Sequence, residues 1–341
     1  MSLNSAGAEP PGRLPVSANG GGEAATPPDT SIAAKLQALL ERCRGLVPVR
    51  TAVVHPCDAE SLSAALEATR LGLIDPVIVA PRARLQAMAA GAGLDIGRWP
   101  IIDTAHSHDS AAQAVALVRA GKAEVLMKGS LHSDELLTEV IHPATGLRTA
   151  RRVSHCFVMD VPGYPRLLII TDAAVNIAPT LAEKVDIVQN AIDLAATLGF
   201  DPVRVAVLSA METVNPAVPS TIEAAALCKM ADRGQIVGAL VDGPLAMDNA
   251  ISLDAVRIKH IESTVAGRAN VLLVPDLEAG NMLAKSLSFL SRAEAAGVVM
   301  GARVPVVLPS RADSLASRLA GCAVAALLAH ARRAAAAQAI R

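Results

Sequence analysis

Short aliphatic runs and amphipathic segments take turns along this chain from Thr30 onward, and that alternation constrains the fold more than any other feature. RTAVVH (50–55), PVIVA (76–80), WPIID (99–103) and EVLM (124–127) are separated by segments with apolar residues at helical spacing. Those segments are Ser31–Arg44, Ala59–Leu71, Ala83–Gly91 and Ser110–Ala120. Apolar runs this short and continuous read as strands covered on both faces, with the helices as crossovers. The pattern is that of βαβ units in a mostly parallel sheet.

The second half opens differently. HCFVMD (155–160) and RLLIIT (166–171) flank Pro162-Gly163-Tyr164-Pro165, turn chemistry that predicts an antiparallel hairpin. Helices are then predicted over 181–198, 220–233, 280–290 and 314–337, and strands over 204–209, 235–241, 270–274, 297–300 and 305–308. The expected architecture is α/β, with a second domain opening near Ser154. Residues 1–29, rich in Gly, Pro, Ala and Ser without periodicity, are expected to form a disordered tail.

Composition removes several functional classes. With 52% apolar and 18% charged residues, most of the chain is not intrinsically disordered. Lys and Arg number 31 against 32 Asp and Glu, and there are only three Phe, one Tyr and one Trp. A nucleic-acid binder would need basic excess and stacking surface. Cys43, Cys57, Cys156, Cys228 and Cys322 are odd in number and form no CxxC, which argues against a disulfide framework. With no export signal in view, they point to the reducing cytoplasm. The longest apolar run, GCAVAALLA (321–329), falls short of the roughly 20 residues that span a bilayer, so no membrane segment is expected. A length of 341 residues suits about two domains.

Ligands of open α/β sheets gather beyond the C-terminal strand ends, so the loops there deserve inspection. Lys128-Gly129-Ser130-Leu131-His132-Ser133 places a cation, a glycine and hydroxyls before a helix, which suits an anion or simple capping by Ser133. Asp242 and Asp248, in DGPLAMD, could hold a cation or move protons, but Asp-Gly-Pro is also ordinary turn chemistry. Ser310, Arg311 and Asp313 combine a donor, a planar fork for phosphate and a base or Arg partner; an N-cap with a salt bridge is the alternative. Gly280 and Asn281 open a predicted helix and could cradle phosphate. Neither GxGxxG nor GxxxxGK[ST] occurs. His55, His106, His108, His155, His260 and His330 lack ligand spacing, so no metal is expected, and no cysteine is marked as a nucleophile.

KGSLHS, RRVSHCFVMD, IITDAAVNIAPTLAEKVDIVQNAIDLA, VAVLSAMETVNPAVPST, VDGPLAMDNAIS, VPDLEAGNMLAK and VPVVLPSRADS, in that order, resemble the phosphate acetyltransferase and phosphate butyryltransferase family. The resemblance runs from about Leu126 to Ala329. It implies two α/β domains with a cleft between them, like isocitrate and isopropylmalate dehydrogenases, usually as a homodimer. Carried onto this chain, domain one is 31–153 plus 309–341 and domain two is 154–308. The implied reaction is reversible acyl transfer between coenzyme A and inorganic phosphate, with coenzyme A as substrate and no tightly bound cofactor. A carboxylate deprotonates the thiol, the thiolate attacks the acyl phosphate directly, an arginine binds phosphate and a serine stabilises developing charge. Ser310 and Arg311 match that pair. The acetyltransferase branch has its aspartate seven residues after the serine, where this chain has Ser317. Asp313 is the nearest carboxylate and the candidate base, with Asp242 and Asp248 behind it. The SRADS form is closer to the butyryltransferase branch and its acetyltransferase relatives. A dehydrogenase of the same fold using NAD and a metal, and a non-catalytic protein without a base, are the competing readings.

Overall fold

The computed structural model describes residues 33–97 and 99–339; the tail expected over 1–29 lies outside them. In the first half, β1 (Val49–Val54), β2 (Ile74–Ala80), β3 (Ile101–Asp103) and β4 (Val125–Lys128) alternate with helices. These are α1 (Ala34–Cys43), α2 (Ala59–Arg70), α3 (Arg82–Gly91), α4 (Ser107–Arg119) and α5 (Ser133–Ile141). The hairpin follows as β5 (Ser154–Asp160) and β6 (Leu168–Thr171), with Cys156 opposite Thr171 in antiparallel register. Next come α6 (Leu181–Thr197), β7 (Arg204–Leu208), α7 (Pro219–Asp232), β8 (Leu240–Leu245), α8 (Met247–Ile251) and α9 (Leu253–Ile258). The chain finishes with β9 (Val271–Leu273), α10 (Leu277–Leu290), β10 (Glu294–Met300), β11 (Val306–Val307) and α11 (Leu315–Ala339).

All eleven strands join one sheet in the order β3-β2-β1-β4-β11-β10-β5-β6-β9-β7-β8. Its two wings, β3 to β11 and β6 to β8, are internally parallel; the centre, β11-β10-β5-β6, is antiparallel. Side chains alternate between faces, as the pleat requires. Val49 and Val53 of β1 pack with α1, α2 and α11, whereas Ala52 and Val54 pack with α4 and α5. Because β4 and β11 are parallel neighbours, the loops leaving Lys128 and Val307 emerge side by side.

Three expectations need correction. The strand placed at 235–241 begins instead at Leu240, because the Gln189 side-chain amide takes both backbone groups of Val237, at 3.0 Å each. Asp242-Gly243-Pro244 is therefore strand rather than turn, which a proline tolerates because β8 is a sheet edge. The helix expected from Gly280 starts at Leu277, where Asp276 caps it by accepting from Ala279 N–H at 2.8 Å. Finally, the run 321–329 was too short to suggest a membrane segment, but the helix that holds it, expected over 314–337 and observed at Leu315–Ala339, is long and apolar enough for one. Leu315–Gln338, 24 residues at mean hydropathy 1.2, has the length and composition of a membrane span. Its residues Ala316 and Leu319 to Ala329, apart from Gly321, are buried apolar side chains, and it packs on β4, β10, β11, α1, α2 and α6.

Candidate active site

The two adjacent loops after β4 and β11 build the site. On the first, Gly129 sits against β1: a Cβ there would lie 2.5 Å from the Val54 carbonyl oxygen, so only glycine fits. Ser130 Oγ donates to the His55 carbonyl at 2.8 Å and accepts from Cys57 N–H at 3.2 Å, which fastens this loop to the end of β1. Lys128 is buried, and its Nζ donates to the carbonyls of Leu131 at 3.1 Å and Gly129 at 3.3 Å. Burial, followed by Arg318 and Arg311, lowers the pKa of its ammonium. Ser133 is the first helical residue of α5, and His132, at the cap position, makes no side-chain cap bond.

The second loop is a tight turn. Asp313 N–H donates to the Ser310 carbonyl at 3.2 Å, and Ser310 N–H donates to Asp313 Oδ2 at 2.8 Å. Arg318, buried on the first turns of α11, donates to the carbonyls of Ser310 at 3.1 Å and Asp313 at 3.3 Å. This leaves Ser310 and Arg311 exposed at the rim, with Arg311 Nη2 3.3 Å from His132 Nε2. Neither Lys128, Arg311 nor Arg318 forms an ion pair among the described residues. Three cations share a small space with Asp58 and Asp313 as neighbouring acids, and an excess of positive charge there favours an anion.

Asp313 itself is half-buried. Burial raises its pKa and the Glu294 charge adds to that, against opposing effects from Ser310 N–H, Arg318 and Lys128. Ser317, the residue at the acetyltransferase-branch aspartate position, donates to Glu294 Oε2 at 2.5 Å, and Ser314 donates to the same oxygen at 2.9 Å. A carboxylate from β10 thus reaches the place where α11 carries a serine. Ser310, Asp313, Ser314, Ser317 and Glu294 form the polar wall of a cavity of about 200 Å³.

The other sequence candidates lie elsewhere. Asp242 is on β8, six strand spacings from β11, roughly 29 Å along the sheet at 4.8 Å per strand. Asp248 pairs with Lys259 at 3.2 Å, which also bridges to Glu212. Gly280 is inside α10, its N–H bonded to the Asp276 carbonyl at 3.1 Å, and Asn281 Nδ2 donates to the Ala173 carbonyl at 3.2 Å. The helix reaches the cavity through later residues, Ala284, Lys285 and Ser288. Glu294, Arg318 and these α10 residues carry no local motif; only the tertiary pairing of β10, α10 and α11 brings them in. Burial pushes the thiols of Cys43 and Cys57 up to about 11 and those of Cys156, Cys228 and Cys322 to about 12, so none is a ready thiolate. No cluster of metal ligands occurs among the described residues.

Residues 105–326 match the family model described as phosphate acetyl/butaryl transferase, a span that includes both loops. The chain belongs to this family. A phosphate acetyltransferase from Rhizobium meliloti is 62% identical over 301 residues, covering 88% of this chain and 95% of that protein. The crystal structure of a branched-chain phosphotransacylase from Enterococcus faecalis matches with a TM-score of 0.72 at 30% identity, over 82% of this chain and 99% of that one. A 4-hydroxythreonine-4-phosphate dehydrogenase from Klebsiella pneumoniae matches with a TM-score of 0.52 at 12% identity, over 84% and 99%, and shares the fold alone.

Proposed function

We propose that this chain is a phosphate acetyltransferase, catalysing acetyl-CoA + phosphate = acetyl phosphate + CoA. The observation that carries the reading is the SRAD loop: Ser310 and Arg311 stand exposed at a cationic rim, on a turn tethered from beneath by buried Arg318. Arg311 binds phosphate, and Lys128 adds fixed positive charge behind it. Ser310 Oγ donates to the oxygen on which charge develops.

In the direction of acetyl-CoA synthesis, Asp313 takes the proton of the CoA thiol. The sulfur lone pair forms the new C–S bond, the C–O bond to phosphate breaks, and phosphate leaves with that electron pair. No acyl-enzyme forms. A free thiol of pKa about 8.5 is only a few per cent thiolate near neutral pH, so a base beside it raises the reactive fraction. The raised pKa of Asp313 supports this role, because a more basic carboxylate accepts the proton more readily.

The domain division at 153/154 belongs to the same reading. The return of the C-terminal segment to the first wing supports it, although β11 makes that return by Val306. A homodimer in the cytoplasm completes the proposal; five free thiols support the reducing compartment. CoA itself is a substrate held by aliphatic contacts, backbone groups and cations, since rings are few. Purified protein with acetyl-CoA and phosphate should release thiol, followed with a thiol reagent. No release with any short acyl-CoA would overturn the reading, and turnover would exclude a non-catalytic protein.

A further inference from the structure

A cavity of about 410 Å³ lies toward the far end of α11 from the Ser310 turn, between α11, α6, the segment before β5 and the β10–β11 connection. Arg332 on its wall is roughly 21 Å along the helix from Arg318, at 1.5 Å per residue. The volume is within the range of small-molecule sites. Its frame is fixed by backbone pairing. Arg303 N–H donates to the Leu147 carbonyl at 2.8 Å, Arg148 bridges Ala302 in antiparallel register, and Thr149 Oγ1 donates to the Gly301 carbonyl at 2.6 Å. Gly301 has a φ of +81°, and a Cβ there would lie 2.3 Å from the Arg152 carbonyl oxygen, so only glycine fits.

Three guanidiniums, those of Arg151, Arg303 and Arg332, share the wall with one carboxylate, Asp193. Asp193 pairs with Arg151. Arg332 instead donates to the carbonyls of Arg303 at 2.7 Å and Ala302 at 3.4 Å, which uses two of its five N–H donors. Burial disfavours its charge, with Asp193 opposing. The Arg303 side chain is exposed and makes no hydrogen bond or ion pair among the described residues. Beside these cations α11 presents Leu328, Ala331 and Ala335, and α6 presents Asn190 and Thr197. We infer that this cavity binds a small organic phosphate monoester, with the phosphate between Arg303 and Arg332 and the apolar body on Leu328, Ala331 and Ala335. Charge sets the class. Three cations against one acid leave an excess of two positive charges, and a phosphate monoester carries about −1.5 to −2 near neutral pH. Guanidinium forks bind phosphate oxygens in bidentate pairs. A monocarboxylate would leave one of the two charges unmatched. The site stands apart from the acetyl-transfer reading, since no residue of the Ser310 turn lines it.

The probe is 1-naphthyl phosphate, titrated by its fluorescence into the full chain with saturating CoA present to fill the catalytic cleft. Wild type should bind it saturably, and neutral 1-naphthol should not compete. Arg303→Ala should weaken binding about tenfold or more, the value of one charge-assisted hydrogen bond, and Arg303→Glu should abolish it. Arg332→Met should weaken it at least as much; if that variant does not fold by circular dichroism, the Arg303 variants, altered at an exposed side chain, decide alone. Arg311→Ala should bind as wild type does. Absence of saturable binding, unchanged binding in folded Arg303→Ala and Arg303→Glu, or loss of binding in Arg311→Ala overturns the site. Inorganic phosphate competing as tightly as the monoester binds would make free phosphate the ligand and overturn the monoester assignment.

Discussion

Replacing Arg318 by methionine tests how the turn that carries Ser310 and Arg311 is held. The guanidinium is 5% exposed and makes two carbonyl hydrogen bonds of ordinary length to the turn, at 3.1 and 3.3 Å, with a third, to Arg311, at 3.5 Å. Hydrogen bonds from a charged donor contribute about 1.5–3 kcal/mol each, so the two together hold the turn by on the order of 3–6 kcal/mol. Methionine keeps the packing volume and relieves the desolvation of a buried cation, which costs several kcal/mol. Net global destabilisation should therefore be small, about 1–2 kcal/mol. The turn bears the full loss: releasing about 3 kcal/mol of tether lowers the productive population about a hundredfold. Urea unfolding and phosphate-dependent thiol release, measured on the same preparation, separate the two effects. In Arg318→Met, kcat/KM should fall about a hundredfold with a raised KM for phosphate, and Arg318→Lys, which restores charge but not the fork, should recover part of it. A folded Arg318→Met protein with activity within threefold of wild type would refute the tethering argument.

Four further outcomes follow from the same geometry. Arg311→Ala should lose about a hundred- to a thousandfold in kcat/KM while unfolding within about 0.5 kcal/mol of wild type, because the side chain is exposed; a small kinetic effect would remove it from the site. In the CoA plus acetyl phosphate direction, activity should fall as pH drops through a value above the ordinary aspartate range, since protonated Asp313 cannot accept the thiol proton. Glu294→Gln should move that acid limb to lower pH by removing a like charge, and Asp313→Asn should abolish it; an unmoved limb in both would assign the base elsewhere. Gly129→Ala, whose Cβ would meet the Val54 carbonyl at 2.5 Å, should destabilise the fold measurably and displace Lys128; unchanged melting would contradict the contact. Burial lowers the His155 pKa from 6.5 to about 4, with Asp172 opposing. The unfolded chain then binds the extra proton first, so stability should fall as pH drops from about 6.5 toward 4, a slope that His155→Gln should remove.

The alternation of apolar runs and amphipathic segments was enough to place the first wing, because parallel strands buried on both faces leave an unambiguous pattern. Pro162-Gly163-Tyr164-Pro165 marked the hairpin by local chemistry alone. The start of β8 was hidden because its decisive cause is Gln189, a side chain 48 residues from Val237 that claims its backbone groups. The helix expected over 314–337 matches α11 closely, because Arg318, Arg332 and Arg333 interrupt its apolar run without breaking helical spacing, and each finds a partner in the folded chain. In the site, Ser310, Arg311 and Lys128 were legible since they follow strand ends as a dense polar loop. Glu294 and Arg318 were not: one opens a strand, the other sits within a helix, and their roles arise from the packing of α11 on β10.

We propose direct transfer of an acetyl group between CoA and phosphate at the loops after β4 and β11. Isotope exchange tests it most directly. With labelled phosphate and acetyl phosphate, no label should enter acetyl phosphate until CoA is added, and exchange should then appear and be lost in Arg311→Ala. Exchange without CoA would demonstrate an acyl-enzyme and contradict the mechanism, and no exchange with CoA present would contradict the function.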